Sequence, residues 1–393
     1  MSSIPTPSVQ EGPKLVGSGV QGSNAQQGNA VAVSADGSTA VVGGSVDDRN
    51  TGSLWVFTRS GGRWAQQGSK LQGSHSSYAG LGSSVAISAD GNTIVAGGPD
   101  DNNGVGAAWI FTRTGSVWSQ QAKLVGNDYT PNDYPAQGSA VAISADGNTA
   151  TVGGNGDNFG TGATWVYTRS AGAWTQFRNK LIGTGYSGKA GQGYSLALSA
   201  DGKTMIVGSG LEGSNNPPVW VFVRNVGAWA QQGSYLTASN AIITQPAQNT
   251  SVAVSADGNT FVLGENCDNG LTGAAWIFAR TNGTWAQQSG KLLASDAANP
   301  AEQGASVSIS AKGNVALVGG NTDNNNTGAF WVYVNENGWT QKGSKLVGTG
   351  ASGPANQGNA VALSADGFTA VSGGFNDNND IGATWVFVAA VPV

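Results

Sequence analysis

The chain has 393 residues, of which 39% are hydrophobic, enough for a core, but only 10% are charged, well below the quarter usual for soluble domains. Its surface must therefore be built mostly of Ser, Thr, Asn, Gln and Gly. A net charge of −5 and a pI near 4.8 argue against the clustered Lys and Arg that phosphate binding needs, so no nucleic-acid partner and no anionic membrane surface is expected. The single cysteine, Cys267, allows no intrachain disulfide. The opening residues MSSIPTPSVQ lack the basic and apolar regions of a signal peptide, and no apolar run is long enough to span a bilayer, so membrane insertion is not expected.

Seven tryptophans stand in near-identical settings: Trp55, Trp109, Trp165, Trp220, Trp276, Trp331 and Trp385, spaced by 54, 56, 55, 56, 55 and 54 residues. A fixed period of that size marks a repeated supersecondary unit, and the repeat runs from end to end, so residues 1–393 are expected to form one body. Each repeat divides into four short strands. The first alternates small apolar residues, as in Gly28-Asn-Ala-Val-Ala-Val-Ser34; the period of two marks a strand and the small side chains suit a crowded axis. An Asp-Gly turn follows at Asp36, Asp90, Asp146, Asp201, Asp257 and Asp366, with Lys312-Gly313 in the sixth copy. Asp-Gly between two β runs is a strong hairpin signal. One carboxylate per turn is too few for a hard cation, which leaves turn chemistry as the reading and no metal expected there.

The second strand ends in Gly-Gly or a variant, such as Gly43-Gly44. Three residues past that step every copy is acidic: Asp47, Asp101, Asp157, Glu212, Asp268, Asp323 and Asp377. The simpler account is a turn in which the carboxylate accepts backbone N–H groups. The functional account is a ring of carboxylates that binds polyol hydroxyls or a cation. The third strand carries the periodic Trp, whose place in every copy marks it as a packing residue. The fourth is typified by Trp64-Ala-Gln-Gln-Gly-Ser-Lys-Leu71, where Lys70, like Arg59 on the strand before, is expected to discourage edge-to-edge pairing.

Only six fourth strands follow a third strand. The seventh is expected at the N-terminus, where residues 8–17 align with 339–348 and Ser8 takes the Trp slot. These residues complete the blade of Trp385 and close a ring, so the expected fold is all-β, a seven-bladed β-propeller of four-stranded blades. The repeat resembles the FG-GAP family, the repeat of integrin α-chain propellers and of some fungal lectin propellers. The matching residues are the Gly before the first strand (Gly28, Gly82, Gly138, Gly193, Gly304 and Gly358), the Gly-Gly step and the Gly before the Trp strand. Where the family has Phe before the first Gly, this chain has mostly Gln, and where many members have an Asp-rich calcium loop it has only Ser-Ala-Asp-Gly, so calcium is not carried over.

Topology puts the acidic loops, the Gln-Gly steps and the long connections between blades on one face. Long loops gathered on one face of a rigid scaffold are where binding residues collect. The candidate ligand-binding residues are accordingly the seven acidic positions, Gln27, Gln137, Gln192, Gln303 and Gln357, and two loop tyrosines that break the repeat, Tyr129 and Tyr134. Tyr78, Tyr186 and Phe159 break it too. The lone histidine, His75, lies in a polar loop without a positioned partner set, and no enzyme activity or cofactor is expected. The resemblance and the Asn/Gln/Asp-rich loops imply a lectin-like carbohydrate-binding protein, with pockets repeated between blades and an extracellular or cell-surface setting favoured. The alternative is a protein-interaction or adhesion propeller that binds no sugar.

Overall fold

The period-two pattern folds as it reads. The computed structural model describes residues 4–74, 78–210, 216–243 and 250–390, and these form seven four-stranded antiparallel sheets set around one axis, a seven-bladed β-propeller. Blade 1 consists of Ala30–Val33, Thr39–Gly44, Ser53–Ser60 and Arg63–Gln66, counted from the axis outward. Blade 7 consists of Ala360–Leu363, Thr369–Gly374 and Ala383–Ala389, and its outer strand is Pro7–Gln10 from the other end of the chain. The ring thus closes as the alignment of residues 8–17 predicts.

The N-terminal segment reproduces ties that outer strands make elsewhere. Gln10 accepts the Thr349 N–H at 2.7 Å, as Gln66 accepts that of Ser18. Glu11 accepts from Arg59 and Trp64, as Gln67 accepts from Arg113 and Trp118. Arg59 is therefore occupied in joining blade 1 to blade 7, and it does not guard a free edge.

The core lies between the blades. Each third-strand Trp is fully buried, wedged against its neighbour; Trp165, for example, packs with Val95, Ile110 and Val141 of blade 2 and 3 strands. Its indole N–H is satisfied from the connection, by the carboxylate of Asp128 at 2.7 Å. The Gly-Gly step follows from this packing: a Cβ at Gly44 would lie 2.7 Å from the ring of Trp55. At the opposite face the hairpin turns are tied by Ser34 donating to Asp36 at 2.6 Å, with Asp36 also accepting the Ser38 N–H. Against the cost of burial, these bonds hold the Asp36 carboxyl below its ordinary value.

The same turns are joined to one another. Ala35 N–H donates to Ala89 C=O, and so on through Ala145, Ala200, Ala256, Ala311 and Ala365, whose N–H returns to Ala35 C=O, all at 2.9–3.1 Å. Seven backbone hydrogen bonds form a closed circuit around the axis. All seven copies have alanine at this place. The axial channel of about 270 Å³ is lined by inner-strand residues such as Val33, Ile87, Ile143 and Leu198.

Candidate functional site

The acidic loops fold into tight turns on the face predicted for them. Asp47–Asn50 is representative: Asp48 and Arg49 have φ of 51° and 58°, in the left-handed region that costs an L-residue roughly 1–2 kcal/mol. Six blades repeat this left-handed turn. Asn and Gly fill most of its places, because they tolerate positive φ best.

The carboxylates that open these turns face inward. Asp47, Asp101, Asp157, Asp268, Asp323 and Asp377 are all buried. Each is ion-paired with a lysine at the end of, or just past, the outer strand of its own blade: Lys70, Lys123, Lys180, Lys291, Lys345 and, from the N-terminal segment, Lys14. The Lys180–Asp157 and Lys345–Asp323 contacts measure 2.5 and 2.6 Å. The second oxygen commonly accepts a backbone N–H from the connection, of Gln21 for Asp47, Thr130 for Asp157 and Ser352 for Asp377. The carboxylates are thus spent on protein partners, and Glu212 lies outside the described residues. Lys70 is buried against Asp47, so it does not protect an edge as the sequence suggested; a buried carboxylate needs its counter-charge more than an outer strand needs a guard.

The Gln-Gly steps are likewise internal. Gln27, Gln137, Gln192, Gln303 and Gln357 are buried. Gln27, Gln192 and Gln357 clamp the backbone of Gly17, Gly183 and Gly348 through both ends of the amide. Gln137 holds Gly126 in the same way, and the Gln303 oxygen accepts the Ala294 N–H. Each of these residues fixes a connection to a blade.

The aromatics that break the repeat separate into two groups. Tyr129 packs against the core beside Trp165, and Tyr186 meets Trp220 edge-on at 6.4 Å. Tyr134 and Phe159 stand out in solvent at 71% and 64% exposure. Together with Asp133, Asn155, Lys189 and Gly191 they line a groove of about 420 Å³ between blades 3 and 4. Its elements come from the connection before blade 3, the left-handed turn of blade 3 and the connection before blade 4. Asp133 fixes the groove's shape by accepting the N–H of Tyr134 at 2.9 Å and of Phe159 at 2.6 Å. Sequence reading missed Asp133, Asn155 and Lys189. Lys189 was open to the test that found Tyr134, since both stand three residues before a Gln-Gly step, where other copies have Asn24, Pro300 and Pro354.

Blade 5 departs from the pattern at the second Gly of its step, where Glu265 is fully buried with neither oxygen hydrogen-bonded among the described residues. Burial, helped by the nearby charge of Asp268, raises its pKa well above the ordinary value. The folded state keeps this proton after the unfolded chain has released it near pH 4.3. Stability should therefore fall as pH rises above that point, by up to about 1.4 kcal/mol per pH unit, until the folded carboxyl ionises. Glu265→Gln is expected to flatten that slope. Urea denaturation of both proteins from pH 4 upward checks it, and parallel stability curves would contradict the assignment.

Among the described residues, no helix is long and apolar enough to cross a membrane, and no group of three or more His, Cys, Asp or Glu side chains is placed to hold a metal ion. His75 lies outside the described residues. Comparison with protein-family models and with curated proteins finds no match. Among solved structures, a chain of Kuenenia stuttgartiensis hydrazine synthase is similar, with a TM-score of 0.62 and 14% identity over 96% of this chain and 99% of that one. At that identity the likeness concerns the propeller fold alone.

Proposed function

We propose that this propeller is a non-catalytic, lectin-like binding protein that takes a sugar ring in the groove between blades 3 and 4. One observation carries the reading. Phe159 is a large aromatic, 64% exposed, held at φ 56° where the matching places of other blades have Arg49, Asn103, Gly270, Asn325 and Asn379, polar residues or glycine in every case. Neither hydration nor backbone preference favours Phe there, so its contribution must lie in what it touches. A sugar offers an apolar face for Phe159 and Tyr134 and hydroxyls for Asp133 and Asn155, the mixture that such a groove can satisfy. The resemblance to FG-GAP lectin propellers supports the same reading. It implies repeated pockets, however, whereas the features that favour binding occur at one place in the ring.

Phe159→Asn should relieve the backbone, raising stability by about 1 kcal/mol, while abolishing ligand binding. A glycan array followed by titration of any hit, run on the wild type, Phe159→Asn and Tyr134→Ala, tests both effects. The proposal fails if the wild type binds no glycan or if the variants bind as well.

A protein partner is the second reading, favoured by Tyr78. This residue stands three before Leu81 as Tyr134 stands before Gln137, and it is 59% exposed in the neighbouring blade. A protein interface would extend over both tyrosines, so Tyr78→Ser should weaken a protein complex yet leave binding of a small sugar unchanged.

A further inference from the structure

We infer that the ligand of this groove is an acidic saccharide whose carboxylate is held by Lys189; the inference rests on the groove being a sugar site. The argument begins with how lysine is used on this face. Lys14, Lys70, Lys123, Lys180, Lys291 and Lys345 each neutralise a buried aspartate. Lys189 does not belong to that set. It occupies a slot filled elsewhere by neutral residues, it is exposed, and no carboxylate of the described residues lies within ion-pair distance of it.

Its placement is fixed from below. Gly160, the last residue of the left-handed turn that presents Phe159, has φ of 87°, and the Lys189 stem lies over it; a Cβ on Gly160 would sit 3.4 Å from Lys189 Cδ. The apolar stem is thus seated on the turn while the ammonium is left for the groove. The groove's own acid is on its other element: Asp133, beside Tyr134, has an oxygen committed to each of two backbone N–H groups. The two charges sort a ligand by orientation. A carboxylate is drawn to Lys189 and repelled by Asp133, and hydroxyls are accepted by Asp133, while the ring rests on Tyr134 and Phe159. A uronic acid carries all of these groups on one ring. A neutral sugar would leave the Lys189 ammonium without an anion.

The test is titration calorimetry with an oligosaccharide of galacturonic acid and with the same oligosaccharide after reduction of its carboxylates to primary alcohols. The wild type is expected to bind the acid form about tenfold tighter, and high salt should erase the difference. Lys189→Met keeps the stem over Gly160 and should bind both forms with the affinity the wild type has for the reduced one. Equal affinity of the wild type for the two forms, or a preference that survives in Lys189→Met, overturns the role of the carboxylate while leaving the groove a sugar site. Failure of the wild type to bind either form overturns both readings. Phe159→Asn should lose both forms together, which separates loss of the site from loss of its charge selectivity.

Discussion

A chain that begins at Ser18 is expected to lose cooperative folding, and a synthetic peptide spanning residues 4–17 is expected to restore it. The segment supplies the outer strand of blade 7, the Leu15 side chain buried between blades 7 and 1, and the counter-charge of Asp377. Removing one member of a buried ion pair costs about 3–5 kcal/mol, and deleting a buried leucine side chain costs about 2–5 kcal/mol more. Arg59 and Trp64 lose Glu11 at the same time. The sum approaches the whole stability of an ordinary domain, about 5–15 kcal/mol. Circular dichroism melts of the shortened chain, alone and with the peptide, measure this. A shortened chain that melts at the temperature of the full one would show that the closure is ornamental. Rescue by a peptide carrying Lys14→Met and Leu15→Ala would show that backbone pairing alone suffices.

The second large effect is expected at Asp47. Its substitution by Ala leaves the Lys70 ammonium buried without an anion and removes the acceptor of the Gln21 N–H and the Ser53 hydroxyl. A loss of about 3–5 kcal/mol is expected. Combining Asp47→Ala with Lys70→Met should recover much of it, because the stranded charge is the main penalty. The double-mutant cycle in urea separates the roles once considered for this position. A carboxylate kept for a ligand would cost little when replaced and would show no coupling to Lys70. One kept for the fold should show coupling of well over 1 kcal/mol.

The architecture could be read from the sequence because it is periodic. The spacing of Trp55 and its six counterparts, the Asp-Gly turns and the alignment of residues 8–17 with 339–348 each repeat a local pattern, and period-two alternation maps directly onto strands. The acidic positions were located by the same register, but their partners were not. Asp47 and Lys70 are 23 residues apart, as are Asp157 and Lys180, and only the fold brings the end of an outer strand beneath a turn. A separation of 22 or 23 residues recurs in blades 1, 2, 3, 5 and 6 and was present in the sequence as a signal. Repetition itself was the misleading cue: a residue present in every blade satisfies what every blade shares, which is packing and closure. Gln27 and its equivalents illustrate this, since each clamps a connection. The groove could be found only from departures, Tyr134, Phe159 and Lys189, and their convergence depends on how two connections and one turn fold over one another, which periodicity does not encode.

The circuit of backbone hydrogen bonds through Ala35, Ala89 and their counterparts has no first or last member. Blade order along the chain is therefore a covalent convention that the assembled ring does not register. Near the two ends, Ser8 and Ala390 already lie side by side, with the Ala390 N–H reaching the Ser8 hydroxyl at 3.4 Å. A permuted chain, joined there and opened within the connection between Gly126 and Ala136, would draw the same circuit and still find every blade its neighbour. It would, however, cut through the wall of the groove. Of the seven connections, the one between Gly126 and Ala136 is thus the place where a new terminus would disturb the groove lined by Asp133 and Tyr134.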